Sequence, residues 1–226
     1  MEPDKTKTQA TELTIPAGGV ALNGELAIPA EAKGIVLFAH GSGSSRHSPR
    51  NQFVARALRK AGVGTLLFDL LTMEEEEEER RTRHLRFNIP LLANRLVAAT
   101  RWLETQSAAR RFALGYFGAS TGAAAALVAA AELGGKINAV VSRGGRPDLA
   151  GAALERVTAA SLLIVGGNDP EVAGLNEEAY ARLRCEKQIK VVPGASHLFE
   201  EPGALEEVSR LASEWFLEHL QRVGPR

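Results

Sequence analysis

From Gly34 onward, short runs of uninterrupted apolar residues alternate with longer stretches whose apolar positions recur every three or four residues. The runs are Gly34–Ala39, Val63–Phe68, Phe112–Phe117, Ala139–Ser142, Leu162–Val165 and Ile189–Val192. An apolar run without polar alternation predicts a strand covered on both faces, as in a parallel sheet. The intervening stretches predict helices over Asn51–Ala61, Pro90–Gln106, Thr121–Leu133, Glu171–Leu183 and Ala204–Leu220. Gly62 and Gly134-Gly135 stand where helices should stop, and Pro170 suits a first helical turn. Ahead of the alternation, Thr11–Pro16 and Val20–Pro29 predict two strands around Ala17-Gly18-Gly19, a hairpin-like start. The pattern predicts an α/β fold, a doubly wound and mostly parallel sheet with helices on both faces. A flexible polar tail over residues 1–10 and a single domain over 11–226 are expected. At 226 residues the chain suits one sizeable core, and neither a repeat nor a linker divides it.

One segment breaks the rhythm. Six consecutive glutamates, Glu74 to Glu79, precede Arg80, Arg81, Arg83, His84 and Arg86. Written as a helix, it sets Glu76/Arg80, Glu77/Arg81 and Glu79/Arg83 one turn apart, where ion pairs are worth a few tenths of a kcal/mol. The segment 74–86 reads as a solvated excursion, or as a lid over the sheet edge to which the strand ending near Asp69 leads.

Composition narrows the function classes. Lys plus Arg and Asp plus Glu both number 27, so no electrostatic footprint for nucleic acid or an anionic membrane is present. The start, Met1-Glu2-Pro3-Asp4-Lys5, lacks the apolar segment of a secretion signal, and no apolar run is long enough to span a bilayer. The single cysteine, Cys185, cannot form an internal disulfide and suits a reducing compartment. A cytoplasmic protein is expected, with a small-molecule substrate and no nucleic-acid or membrane partner.

The candidate chemistry starts at Gly118-Ala119-Ser120-Thr121-Gly122. A strand–GxSxG–helix turn presents a serine hydroxyl at the carboxyl edge of a sheet, its glycines allowing strand and helix to pass closely. The bland alternative is a glycine-rich packing turn with an incidental serine. A hydroxyl nucleophile needs a base and a group to orient that base. Of the five histidines, His197 follows the strand Ile189–Val192 through Pro193-Gly194-Ala195-Ser196, reaching the same edge. The orienting acid should end the preceding strand, which places it at Asp169 in Gly166-Gly167-Asn168-Asp169. Asp169 could instead cap the next helix, and Asp148 is the reserve acid. The order Ser120, Asp169, His197 is the one this fold requires. For the oxyanion hole, the Thr121 backbone N–H supplies one donor at a helix N-terminus. The loop His40-Gly41-Ser42-Gly43-Ser44-Ser45 supplies a second from Ser42, with Gly43 next, while His40 reads as a loop brace. Arg143 and Arg146 follow another strand to the same edge, either to bind a substrate carboxylate or phosphate or to form salt bridges, as with Asp148.

Together these residues resemble the α/β-hydrolase superfamily, and within it the small, lid-poor, dienelactone-hydrolase-like enzymes. The resemblance covers about Leu13 to Leu220. It rests on the His40–Ser45 loop, the Ser120 elbow, Gly166-Gly167-Asn168-Asp169-Pro170 and Gly194-Ala195-Ser196-His197. It implies little or no cap domain, neither cofactor nor metal, and ester cleavage through an acyl-enzyme on Ser120. Dienelactone hydrolases proper carry cysteine at the elbow; here the elbow is serine, with Cys185 placed at a distant helix end. Acyl transfer or perhydrolysis would use the same parts, and a binding domain without turnover would keep the same fold. A dinucleotide-binding unit is the other reading of strand, Gly41-Ser42-Gly43, helix, strand and Asp69. It is opposed by Arg46, which stands where its third glycine belongs.

Overall fold

The computed structural model describes residues 9–220, so most of the expected N-terminal tail and the last six residues lie outside it. β1 (Thr11–Ala17) and β2 (Val20–Ala27) form the hairpin, turning on Gly18 and Gly19 at φ 62° and 90°. Then follow β3 (Gly34–Ala39), α1 (Pro49–Lys60), β4 (Gly64–Phe68), α2 (Met73–Thr82) and α3 (Ile89–Thr105). The second half holds β5 (Ala113–Ala119), α4 (Thr121–Leu133), β6 (Ile137–Arg143), β7 (Ala160–Gly166), α5 (Pro170–Arg182), β8 (Lys187–Val192) and α6 (Ala204–His219). The sheet runs β1-β2-β4-β3-β5-β6-β7-β8. β2 pairs antiparallel with β1 and β4, and every pair from β4 to β8 is parallel.

The uninterrupted apolar runs have a direct cause. In β3, Ile35, Leu37 and Ala39 face the layer formed by α3, α4 and α5, while Val36 and Phe38 face α1 and α6. Both faces are covered, so no position of the strand is left for a polar residue. The edge strand β8 is covered less well and carries Lys187, Gln188 and Lys190, which discourage pairing with another edge. In β5 the fully buried Tyr116 keeps its hydroxyl satisfied by Thr100 Oγ1 of α3, at 2.6 Å.

Where the pattern gave no period, the structure adds elements. Pro147–Arg156 forms 3-10 turns broken at Gly151. The glutamate-rich segment is the helix α2, opened by a capping box between Thr72 and Glu75. Of the pairs expected along the helix, Glu76 feels the charge of Arg80, while other carboxylates bond elsewhere. Glu75 pairs with Arg95 of α3 at 2.7 Å. Glu79 is 2% exposed and binds the Arg86 guanidinium and the backbone N–H groups of Leu85 and Arg86. The segment is therefore docked through its carboxylates rather than simply solvated.

Two backbone features shape the sheet's carboxyl edge. A methyl group at Gly122 would lie 2.2 Å from the Ala39 carbonyl oxygen, and one at Gly118 would lie 2.4 Å from the Ala123 Cα. The His40 ring bridges the exits of β3 and β4: Nδ1–H donates to Gly41 O, and Nε2 accepts from the Leu70 N–H, both at 3.0 Å. These partners fix the neutral ring, and burial holds its pKa below the usual 6.5 despite the Gly41 carbonyl and Asp69.

Gly122→Ala is expected to destabilise the fold by on the order of 3 kcal/mol or more, because only backbone could give way. By contrast, Gly174→Ala in α5, where a methyl group meets nothing, should stabilise by about 0.5–1 kcal/mol; urea denaturation measures both. The unfolded chain protonates His40 at higher pH than the folded one. The stability from neutral His40 is thus complete above about pH 6.5 and lost as pH falls through the folded value, at most about 1.4 kcal/mol per unit. The unfolding free energy should decline less steeply for His40→Gln than for the parent between about pH 7.5 and 5, and equal slopes would contradict this assignment.

Candidate active site

Ser120 joins β5 to α4 at φ 50° and ψ −123°, a conformation that side chains avoid and that costs on the order of 1–3 kcal/mol. Surrounding backbone holds it there. Its N–H donates to Arg143 O at 3.3 Å, and its carbonyl accepts from the N–H groups of Ala123 and Arg146, both at 3.1 Å. Ser120 occupies the N-cap position of α4, yet its side chain makes no capping bond. Serine is a favoured N-cap because its hydroxyl satisfies a free amide. Here the half-buried hydroxyl is withheld from the helix and left at the sheet edge.

His197 and Asp169 arrive from the next strands along. Asp169 Oδ2 lies 2.8 Å from His197 Nδ1, so the carboxylate accepts the Nδ1–H and leaves Nε2 free to take a proton. Asp169 also begins α5 but makes no side-chain cap there, so the helix-capping alternative is not the role its carboxylate takes. The two loops are laced together by Gly167 N–H to Val192 O and Asn168 N–H to Ala195 O, each 2.9 Å, and by the Asn168 side chain to Gly194 O. A methyl group at Gly166 would lie 2.4 Å from Ala195 O, so the Gly166-Gly167-Asn168-Asp169 sequence permits this approach. Around the ring, Phe199 N–H closes a turn onto Ser196 O, and Glu201 accepts the Ser196 N–H.

Between Ser120 and His197 runs the turn at Arg143–Gly144. Arg143 O takes the Ser120 N–H, and a methyl group at Gly144 would lie 3.0 Å from His197 O and 3.6 Å from its Nδ1. Serine and histidine thus flank a single backbone turn.

The loop after β3 closes the other side. A methyl group at Gly41 would come within 3.1 Å of the Ser120 Cβ, and Ser42 Oγ lies 3.0 Å from Thr121 Oγ1. Thr121 is the first residue of α4, so its N–H has no intrahelical acceptor. Ser42, Gly43 and Thr121 line one small void. Arg46 anchors this loop: its backbone N–H donates to Asp69 at 2.8 Å and its guanidinium pairs with the same carboxylate. That pair occupies the acid a dinucleotide ribose would need, and the nucleotide-binding reading loses its ligand. Cys185 lies beyond the end of α5, its Sγ 3.6 Å from Ser161 Oγ at the opposite, amino edge of the sheet.

The two arginines fare differently. Arg146 forms a bidentate pair with Asp148, at 2.9 and 2.8 Å, which also occupies the reserve acid. Arg143 is 6% exposed and has no carboxylate partner among the described residues. Burial, and then the neighbouring charge of Arg50, push its pKa down to about 10, still a cation at neutral pH. Arg50 was not singled out by any sequence signal, since a lone arginine opening a helix looks like a surface charge. A cleft of about 1130 Å³ opens between α2 and the loop after β3, with Ser42, Gly43, Arg50, Asp69 and Glu76 on its walls; Ser120, Asp169 and His197 do not line it. Thr121 and Glu76 also line one void of about 10 Å³, which brings α2 against the elbow.

Comparison with known proteins agrees with this architecture. Residues 32–212 match the family described as an alpha/beta hydrolase domain. The crystal structure of a dienelactone hydrolase from Anabaena variabilis is 59% identical, with a TM-score of 0.93 over 94% of this chain and 99% of that one. An esterase of Pyrococcus furiosus shares the fold at 18% identity and a TM-score of 0.73, over 97% of this chain and 96% of that one. Proteins of two Mycobacterium tuberculosis strains, named "putative phosphoribosyl transferase", are 56% identical over 95% of this chain. The chain spans only 47% of their length. No helix among the described residues is long and apolar enough to cross a membrane. The chain belongs to the alpha/beta hydrolase family and resembles its dienelactone hydrolases.

Proposed function

We propose that the protein is a serine hydrolase that cleaves a carboxylic ester of a small soluble substrate through an acyl-enzyme on Ser120. The observation that carries this reading is the 2.8 Å bond between Asp169 and His197, made by a carboxylate that forgoes its helix cap. In this mechanism Ser120 Oγ attacks the ester carbonyl carbon while His197 Nε2 takes the hydroxyl proton. The Asp169 carboxylate holds the ring in the tautomer that leaves Nε2 free and stabilises the imidazolium. Negative charge forming on the carbonyl oxygen meets the Thr121 N–H, the N-terminus of α4, and an N–H of Ser42 or Gly43. Collapse of the tetrahedral intermediate breaks the ester C–O bond, and His197 returns its proton to the leaving alkoxide. Water, deprotonated by His197, then attacks the acyl-enzyme and regenerates Ser120. Acyl transfer or perhydrolysis differs only in replacing this water with another acceptor.

The name of the mycobacterial relatives suggests a second chemistry, transfer of a phosphoribosyl group. This chain spans only 47% of those proteins, and the Asp169–His197 bond favours acyl chemistry for it.

On p-nitrophenyl esters of graded chain length, Asp169→Asn is expected to fold normally and lose on the order of 10⁴ in kcat. Asp148→Asn, which releases only Arg146, should cost far less. The reverse order would contradict the assignment of the acid, and absence of turnover on every ester would favour a binding domain.

A further inference from the structure

The turn Arg143–Arg146 grips Ser120 through two peptide units. In the first, the Arg143 carbonyl accepts the Ser120 N–H at 3.3 Å, and the Gly144 N–H of the same unit donates to Ile164 O of β7 at 2.8 Å. In the second, the Arg146 N–H donates to the Ser120 carbonyl at 3.1 Å. The carbonyl of that unit, Gly145 O, accepts from Asn176 Nδ2 at 3.0 Å. One unit is thus anchored by sheet backbone, the other by a side chain of α5.

Asn176 is fully buried in the middle of α5, about two turns beyond Asp169. Its nitrogen also donates to Val172 O at 2.7 Å, so two carbonyl oxygens fix which end of the amide is nitrogen. A methyl group at Gly145 would lie 2.0 Å from Ser142 Oγ and 2.6 Å from Ala123 Cβ, so this peptide is pressed onto the first turn of α4. A peptide unit is planar and trans, and holding its carbonyl therefore sets the direction of its N–H.

The bonds form a series. Asn176 Nδ2–H meets the Gly145 carbonyl, the Arg146 N–H of that unit meets the Ser120 carbonyl, and the Ser120 carbonyl shares its own peptide with the Thr121 N–H. The series ends on the donor assigned above to the oxyanion. Hydrogen bonds linked through amides polarise one another, which strengthens the last donor as well as aiming it. The helix supplies the Ser120 carbonyl with one further bond, from the Ala123 N–H at 3.1 Å.

We propose that Asn176 is a positioning residue for the oxyanion hole, aiming and polarising the Thr121 N–H through the Gly145–Arg146 and Ser120–Thr121 peptides. This role rests on the hydrolase reading above and extends it to a residue whose bonds go to Gly145 and Val172 rather than to Ser120, Asp169 or His197. The competing role for Asn176 is structural, tying α5 to the turn without consequence for the oxyanion.

Asn176→Leu keeps the branching of the side chain and removes its donor; Asn176→Ala serves if that variant does not fold. On p-nitrophenyl esters kcat should fall by about tenfold to a hundredfold with KM within about twofold, a smaller loss than that of an oxyanion donor outright. Affinity for a trifluoromethyl ketone, which becomes an oxyanion on reaction with Ser120, should fall by the same factor. Ala179→Gly, at a buried position further along α5, weakens the helix without touching the series and should leave both unchanged. In Asp169→Asn, whose residual turnover rests on the oxyanion hole, Asn176→Leu should still lose its factor. A kcat loss reproduced by Ala179→Gly, an unchanged ketone affinity, or a loss that vanishes in Asp169→Asn would each overturn the proposal. Exchange of the Arg146 amide hydrogen reads the same bonds without turnover, and Asn176→Leu should speed it by about tenfold or more while the β6 amides keep their protection. Faster exchange in a protein that cleaves no ester would sink the hydrolase reading and leave the series of bonds standing. Unchanged exchange at Arg146 would overturn the role of Asn176 whatever the turnover.

Discussion

Helix α4 leaves β5 at Ser120 and passes so close to the end of β3 that only hydrogen fits at Gly122, 2.2 Å from the Ala39 carbonyl if a methyl stood there. The active edge depends on this contact. It goes with a positive φ at Ser120, whose hydroxyl makes no capping bond to the helix it begins. It also presses the loop after β3 against the elbow, where Ser42 meets Thr121. Strain in one residue is held by backbone hydrogen bonds from β6 and α4, so Ser120 is fixed before any ligand arrives.

Charge is distributed at this edge with a clear asymmetry. Asp69 is committed to Arg46, Asp148 to Arg146, and Glu79 to the turn after α2. Those pairs shape loops. Asp169 bonds to His197, and Arg143 is buried with no carboxylate partner among the described residues. Arg143 carries its buried charge between the Ser120 turn and the His197 loop. Folds often accept such local cost at their functional sites.

Much of this was legible in the sequence, for physical reasons. Strands covered on both faces tolerate no polar residue, so β3 and β5 are visible as apolar runs, and the serine, acid and base lie on loops that must leave the same sheet edge. Helix starts were less clear. α1 begins at Pro49 rather than Asn51 because Ser48 caps it, a bond that hydrophobic periodicity does not register. The 3-10 turns at Pro147–Arg156 have no period to detect. Pairings across the chain were the least accessible: the helical spacing of α2 suggested partners one turn away, whereas Glu75 and Glu79 bond to Arg95 and Arg86. Which of Arg143 and Arg146 pairs with a carboxylate depends on where Asp148 lies, and only the folded chain decides that.

The central claim is that Ser120 is a nucleophile activated by His197 and Asp169. Its most direct test is labelling of the folded protein with a fluorophosphonate, followed by mass spectrometry of the modified peptide. The account predicts one adduct, on Ser120, absent in Ser120→Ala and slowed by orders of magnitude in His197→Ala. A folded protein that remains unlabelled, or an adduct on another residue that survives Ser120→Ala, would contradict it.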